Sequence, residues 1–218
     1  IGGQMFCEVQ SLETVTISEG VETIDIQAFA YNPNLRTINI PNSVMSLGAG
    51  IVHGCPKLEQ ITGKYTSDDG RCLITDGILN SFAPANLTEY TLPKDVTIIG
   101  SMAFSDNFTE LKTVHLPEGL VTIADRAFRY SGLETITFPS TLKYLYAEAF
   151  YGSNALKTIY CKSLFPPAFI GCDDRWETVF GDIHPNAVIY VPEKQVEQYK
   201  REWPWYSSII KGYDFGND

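Results

Sequence analysis

What this sequence has little of narrows its function before any motif is read. Basic residues are in deficit, with 16 Lys and Arg against 26 Asp and Glu and a formal charge of −10. A surface of that sign repels phosphate backbones and anionic headgroups, so nucleic acid is set aside as a partner. No apolar run approaches the ~20 residues that span a bilayer, so no membrane insertion is expected within this segment. Histidine is scarce, at three residues (His53, His115, His184). The five cysteines (Cys7, Cys55, Cys72, Cys161, Cys172) lack CxxC spacing, and an odd number cannot all pair within one chain. Nucleophile elbows, HExxH pairs, Walker loops and GxGxxG turns are missing as well. The expectation is no catalytic residue, no metal ligand and no cofactor.

Two other absences are informative. The chain has no Met at its start, and "IGGQMF" reads as the tail of a unit seen later: Ile1-Gly2 matches Ile99-Gly100, and Met5-Phe6 matches an Ala-Phe pair. It therefore opens in mid-coil, and a further coil or cap is expected upstream, because solenoid ends are normally closed by polar caps. The chain also lacks the signature of disorder. With 218 residues, 44% hydrophobic and 19% charged, it can bury a core.

What is there is a repeat. "LKTVHLPEGLVTIADRAF" from Leu111 has near copies at "LETVTISEGVETIDIQAF" from Leu12 and "LETITFPSTLKYLYAEAF" from Leu133. Units begin at Leu12, Leu35, Leu58, Leu87, Leu111, Leu133 and Leu156, with steps of 23, 23, 29, 24, 22 and 23 residues. Counting each Leu as position zero, apolar residues stand at positions three and five, as in Val114/Leu116 and Ile136/Phe138. Mostly polar residues stand at two and four, so the period of two marks a strand with one buried face. Pro41, Pro93, Pro117 and Pro139 follow at position six, where a missing N–H ends the ladder. Apolar residues return at positions nine and twelve (Leu120/Ile123, Leu142/Leu145), and Ala-Phe closes the unit at Phe29, Phe104, Phe128 and Phe150. No unit of this size buries such a set alone, so the units must stack as coils of a solenoid.

The pattern LxxVxLPxxLxxIxxxAF resembles the BspA-like, or Treponema pallidum type, leucine-rich repeat of bacterial surface and secreted proteins. It departs from that pattern at Ile51-Val52, where Ala-Phe is expected, and at Ser18 and Lys162, where Pro is expected. The resemblance implies a β-rich α/β fold: a right-handed curved solenoid with a parallel sheet on its concave side, located outside the cell or on its surface. A single domain over 1–218 is expected, with 1–11 the tail of a truncated repeat, 12–164 seven repeats and 165–218 a C-terminal cap.

The anomalous 29-residue step holds an insertion at about 64–86. There, Arg71 to Thr75 and Ile78 to Phe82 flank Asp76-Gly77, a strong hairpin signal because a type I′ turn needs φ > 0 at both central residues. The hairpin is expected to replace the return path of the third coil. After Leu164 the repeat dissolves, resumes as "AVIYVP" at 187–192, and is followed by a short helix over Glu193 to Glu202. Trp203, Trp205 and Tyr206 are expected to cover the last coil.

Most candidate sites reduce to structure. His53 and Cys55 fall in turns where Cys is a small buried filler rather than a nucleophile. Asp68-Asp69-Gly70 and Asp173-Asp174 lack the ligand string of a calcium loop. Asn86-Leu87-Thr88 and Asn107-Phe108-Thr109 match glycosylation sequons but are discounted. The cysteines are read as mostly buried thiols, with Cys161–Cys172 the one pairing worth testing.

The patterned surface is the outward strand face. Position two reads Thr14, Thr37, Gln60, Glu89, Thr113, Thr135 and Thr158; position four reads Thr16, Asn39, Thr62, Thr91, His115, Thr137 and Tyr160. Stacked about 4.8 Å apart, these form two mostly uncharged hydroxyl ladders. β-Branched Thr suits any exposed strand, and solenoids also commonly bind extended partners on this side. Three readings follow. The chain is a non-enzymatic interaction or adhesion module binding a host protein, matrix component or glycan; or a structural spacer; or, least supported, an enzyme.

Overall fold

The repeat leucines, strand residues and Ala-Phe pairs form coils that stack in register. The computed structural model describes residues 1–106, 110–172 and 178–216. Asn107-Phe108-Thr109 and Asp173-Asp174 lie outside the described residues. Each unit contributes a strand at positions two to five, a turn, a short return strand near position twelve and a tight turn carrying Ala-Phe. Parallel pairing runs residue for residue between successive units: Val114 opposite Ile136, Ile136 opposite Ile159, Ile159 opposite Ile189. Coil-to-coil backbone bonds repeat in the turns, for example Phe104 N to Ala127 O and Phe128 N to Ala149 O, both donated at 2.8 and 2.7 Å.

The chain enters its turns in two ways. At Pro117 the turn is closed by Leu120 N donating to Pro117 O, with Gly119 at φ 109°, where a side chain would be strained. Before each Ala-Phe pair, and before Ile51-Val52 in their place, the backbone takes a left-handed residue at the same position: Gln27, Gly50, Met102, Arg126 and Glu148 all lie between φ 55° and 60°. Four of the five are not glycine.

The aromatic side chains form ladders along the axis. Phe104, Phe128 and Phe150 stack with centroids 4.8 and 5.1 Å apart and planes within 10°. Phe82 and Phe180 extend the row at its two ends. Phe6 on Phe29 makes a separate stack at the start of the chain. Val52 stands at the matching position between them, fully buried, so the departure from Ala-Phe read at Ile51-Val52 interrupts the ring ladder without opening the core.

The expected hairpin is present. Cys72–Thr75 and Ile78–Phe82 pair antiparallel around Asp76 (φ 50°) and Gly77 (φ 76°), the double positive φ of a type I′ turn. Ile78–Phe82 pairs parallel with the return strand Ile98–Ile99, so it does take the place of the third coil's return path. The insertion also divides the molecule. The principal sheet is split into a three-stranded part (Thr14–Thr16, Thr37–Ile40, Gln60–Gly63) and a six-stranded part running from Glu89–Thr91 to Ile210–Tyr213. The core divides too, with Leu73 in the N-terminal cluster and its neighbour Cys72 in the C-terminal one. Successive residues of a strand face opposite ways, so one strand serves both cores.

Polar contacts hold the insertion. The Asp69 carboxylate accepts from Ser67 Oγ at 2.6 Å, Arg71 N at 3.0 Å and Tyr90 Oη at 2.8 Å. Arg71 in turn donates to Ala83 O and Ala85 O.

The C-terminal cap contains strand Val188–Pro192, helix Val196–Glu202 and strand Ile210–Tyr213. Trp203 and Tyr206 are buried over the last coil, and Trp203 Nε1 donates to Pro167 O. Tyr199 Oη donates to Ser163 O, satisfying the backbone where the repeat lapses. Trp205, expected to share this role, is 59% exposed: it lies between the two inward-facing aromatics in a short 3₁₀ segment and points out. The Cys161–Cys172 pairing, left open in the sequence, is not formed. Cys161 is a free thiol, fully buried in the position-five core ladder and 3.1 Å from Tyr199 Oη, with its pKa pushed up to about 11 by burial.

Two predictions follow from this packing. Phe128→Ala should cost about 3–5 kcal/mol in urea melts, because it removes a fully buried ring between two stacked neighbours and leaves a cavity; a loss below about 1 kcal/mol would mean that the ring ladder is not packed. At Asp69, burial pushes the carboxyl pKa up, but the hydrogen bonds from Ser67, Tyr90 and Arg71 outweigh it and the net pKa is lowered. The group therefore adds stability above its unfolded value of about 3.9, and that contribution fades as pH falls below it. Asp69→Asn should narrow the stability difference between pH 6 and pH 3; an unchanged pH profile would remove Asp69 from that role.

Candidate functional site

The outward residues of the principal sheet fall in two groups, because the sheet is split. In the N-terminal part, Thr14, Thr37 and Gln60 stand side by side, as do Thr16, Asn39 and Thr62. Asn39 Nδ2 donates to Thr62 Oγ1 at 3.0 Å, tying this ladder to itself. In the C-terminal part the registers are Glu89–Thr113–Thr135–Thr158 and Thr91–His115–Thr137–Tyr160. The two ladders read across the seven units are therefore interrupted between Gln60/Thr62 and Glu89/Thr91, where the insertion passes.

The C-terminal group has more relief. Thr113, His115, Thr135 and Thr137, together with Glu118 and Lys162, line a depression of about 330 Å³. His115 is exposed, with Nε2 3.8 Å from Glu89 Oε2. Beyond Thr137 the face turns aromatic. Tyr160 stacks on Tyr190 at 5.2 Å and 17°, and Tyr213 meets both rings edge-on at 5.2 and 5.5 Å.

Tyr190, Lys211 and Tyr213 extend this face past the residues read from the sequence. Tyr160 pairs with Tyr190, and Tyr190 with Lys211. A signal for Tyr190 was present, since Val191-Pro192 copies the Leu-Pro of the repeat and places Tyr190 at position four.

A second concavity opens at the break in the sheet. It encloses about 640 Å³ and is lined by Tyr65, Asp68, Asp76, Tyr90, Thr91 and Asp95 among others. Among the described residues no group of three or more His, Cys, Asp or Glu side chains is placed to hold a metal ion. No helix among them is long and apolar enough to cross a membrane.

The remaining candidates are accounted for by packing. His53 is buried, its Nδ1 3.0 Å from Gly50 O and its ring edge against Tyr31, and burial lowers its pKa. Cys55 Sγ donates to Phe29 O, and burial pushes its pKa up to about 12, which keeps it from acting as a thiolate. It stands at the same repeat position as Asn32 and Ser153, whose side chains also donate to the carbonyl of an Ala-Phe turn, Asn32 to Phe29 O and Ser153 to Phe128 O. This is a structural post, filled by whichever small donor fits.

Comparison with known proteins agrees with this architecture. The family model described as "BspA type Leucine rich repeat region" matches in six copies over residues 1–68 and 79–172, with the gap falling on the hairpin. Similar solved structures include the pneumococcal vaccine antigen PcpA (22% identity, TM-score 0.65, covering 97% of this chain and 63% of that one). A leucine-rich cell surface protein from Faecalibacterium prausnitzii has 21% identity and a TM-score of 0.59, covering 95% of this chain and 61% of that one. A leucine-rich repeat protein from Eubacterium ventriosum has 23% identity and a TM-score of 0.59, covering 83% and 48%. At these identities the likeness is one of fold, and this chain spans about half to three fifths of their lengths. Curated proteins give no match. Carrying the family's repeat over most of its length, the chain belongs to the BspA-type leucine-rich-repeat proteins.

Proposed function

We propose that this chain is a non-enzymatic recognition module of a bacterial surface or secreted protein, and that it binds a protein or glycan partner along the outward face of the principal sheet. Leucine-rich-repeat solenoids generally serve as interaction scaffolds, and their strand face can meet an extended partner over several coils at once. The observation that carries the reading is the C-terminal half of the face. Hydroxyl ladders, an exposed His115, a depression of about 330 Å³ and a tyrosine pair lie on one contiguous surface. Hydroxyls and aromatic rings contact a partner by hydrogen bonding and apolar packing with little desolvated charge, which favours neutral sugars and extended peptides. Thr14, Thr16, Thr37, Asn39 and Thr62 would form a separate, weaker contact area on the far side of the break.

The test is an array of host proteins, matrix components and glycans probed with the soluble chain, followed by affinities for the hits. His115→Ala and Tyr160→Ala should each weaken binding by about 1 kcal/mol or more. Arg126→Ala, on an Ala-Phe turn where Arg126 pairs with Glu148, should leave binding unchanged. If Arg126→Ala abolishes binding while the His115/Tyr160 double variant binds normally, the sheet face is not the site.

A further inference from the structure

The last described residues do not trail away from the molecule. Strand Ile210–Tyr213 is the outermost of the principal sheet, paired with Val188–Pro192, which in turn pairs with Thr158–Cys161. From that edge the chain turns back over the outward face. Gly216 N donates to Asp214 Oδ1 at 2.7 Å, and the ring of Phe215 reaches Tyr160, two strands in, at 6.4 Å and 82°. Phe215 also packs on Tyr213 at 4.9 Å, and Tyr213 meets Tyr160 and Tyr190 edge-on. Tyr213 of the edge strand thus meets both rings of the Tyr160–Tyr190 pair, and Phe215 lies over Tyr160 and Tyr213. These contacts lie on the sheet's outer face and add nothing to the buried core, since Tyr213 remains 41% exposed.

A sheet face that receives an aromatic residue from its own chain shows what chemistry fits it. Edge-to-face packing on a tyrosine pair rewards an aromatic ring at centroid separations of 4.5–7 Å. A peptide crossing the strands brings that ring with a backbone that can hydrogen-bond to half-buried hydroxyls such as those of Thr135, Thr137 and Thr158. We propose that the cluster of Tyr160, Tyr190 and Tyr213 is a docking site for an aromatic side chain of an extended peptide partner, and that Phe215 occupies its place over Tyr160 and Tyr213 in the unliganded chain, so that partner and Phe215 exclude one another. The proposal rests on the reading of this face as the binding surface, and it narrows the partner to a peptide carrying Phe, Tyr or Trp. Because the tail competes from within the same molecule, apparent affinity is reduced by the fraction of time the site is already filled.

The experiment uses a defined probe, the capped hexapeptide Lys-Gly-Tyr-Asp-Phe-Gly copied from residues 211–216. It is titrated by NMR into the unaltered chain, the Phe215→Ala variant and the Phe215→Ala/Tyr160→Ala variant. If the tail fills the site about nine tenths of the time, Phe215→Ala binds the peptide about tenfold more tightly than the unaltered chain. Replacing both the Tyr and the Phe of the peptide by Ala, or adding Tyr160→Ala, should remove that binding. Tyr213→Ala, which takes away the other ring that Phe215 packs on, serves in place of Tyr160→Ala if the latter shows altered circular dichroism. The proposal is overturned by equal binding to the unaltered chain and to Phe215→Ala, or by binding that survives loss of both peptide rings or of Tyr160. It is equally overturned by no binding to any variant up to about 10 mM peptide, above the millimolar effective concentration that a short tether supplies. A natural partner whose affinity depends on His115 but is indifferent to Phe215→Ala would sink this inference and leave the broader reading of the face intact.

Discussion

Everything in this molecule depends on one constraint: each coil must present its backbone and its side chains in register to the next. Parallel strands bond only when residue meets residue, as Val114 meets Ile136 and Ile136 meets Ile159. The Ala-Phe turns add their own coil-to-coil bonds, such as Phe128 N to Ala149 O. Together these bonds pin the length of a turn of the solenoid, so residues of one type line up along the axis and the phenylalanines stack as rings. A single coil has no inside. Its Leu, Val and Phe become buried only when a neighbour covers them, which makes stability a property of the interfaces between coils.

The insertion is where that constraint is relaxed. The hairpin Cys72–Phe82 replaces a return strand, and its first strand sends Cys72 to one core and Leu73 to the other. The hairpin joins the coil that follows, where Ile78–Phe82 pairs with Ile98–Ile99, but not the coil before it: Ser46–Leu47 pairs only with Thr23–Ile24, and on the principal sheet Gln60–Gly63 and Glu89–Thr91 are not paired. The concavity at that break follows directly, and Asp69 bridges it by accepting from both Ser67 and the Tyr90 hydroxyl. Both sheets are thus divided at the insertion, and the hairpin keeps the interior closed by filling both cores from one strand.

The chemistry available to the outward face is set by the same stacking. Position four carries Thr, His, Thr, Tyr and Tyr in succession, so small hydroxyls give way to large rings toward the C-terminal end. The cap that ends the solenoid also supplies the rings that complete this aromatic end, since Tyr190 and Tyr213 belong to it and Tyr160 to the last repeat. Titratable groups that resemble a catalytic pair, His53 and Cys55, are instead buried and committed to the backbone carbonyls of Gly50 and Phe29.

The sequence by itself determined the solenoid, its strand positions and its hairpin, because each of these is written locally: a period of two, a Pro at position six, an Asp-Gly between apolar runs. It also determined which residues of each strand face outward, since alternation within a strand fixes sidedness whatever surrounds it. The left-handed residues before the Ala-Phe turns were not legible, because Gln27, Met102, Arg126 and Glu148 are ordinary side chains forced into that region by the bonds to adjacent coils. Only the tertiary structure decided that the hydroxyl ladders are cut in two, that Cys161 faces Tyr199 rather than Cys172, that Trp205 points outward and that Phe215 returns to Tyr160. Each of those depends on how segments far apart in the chain meet, and no local pattern carries that information.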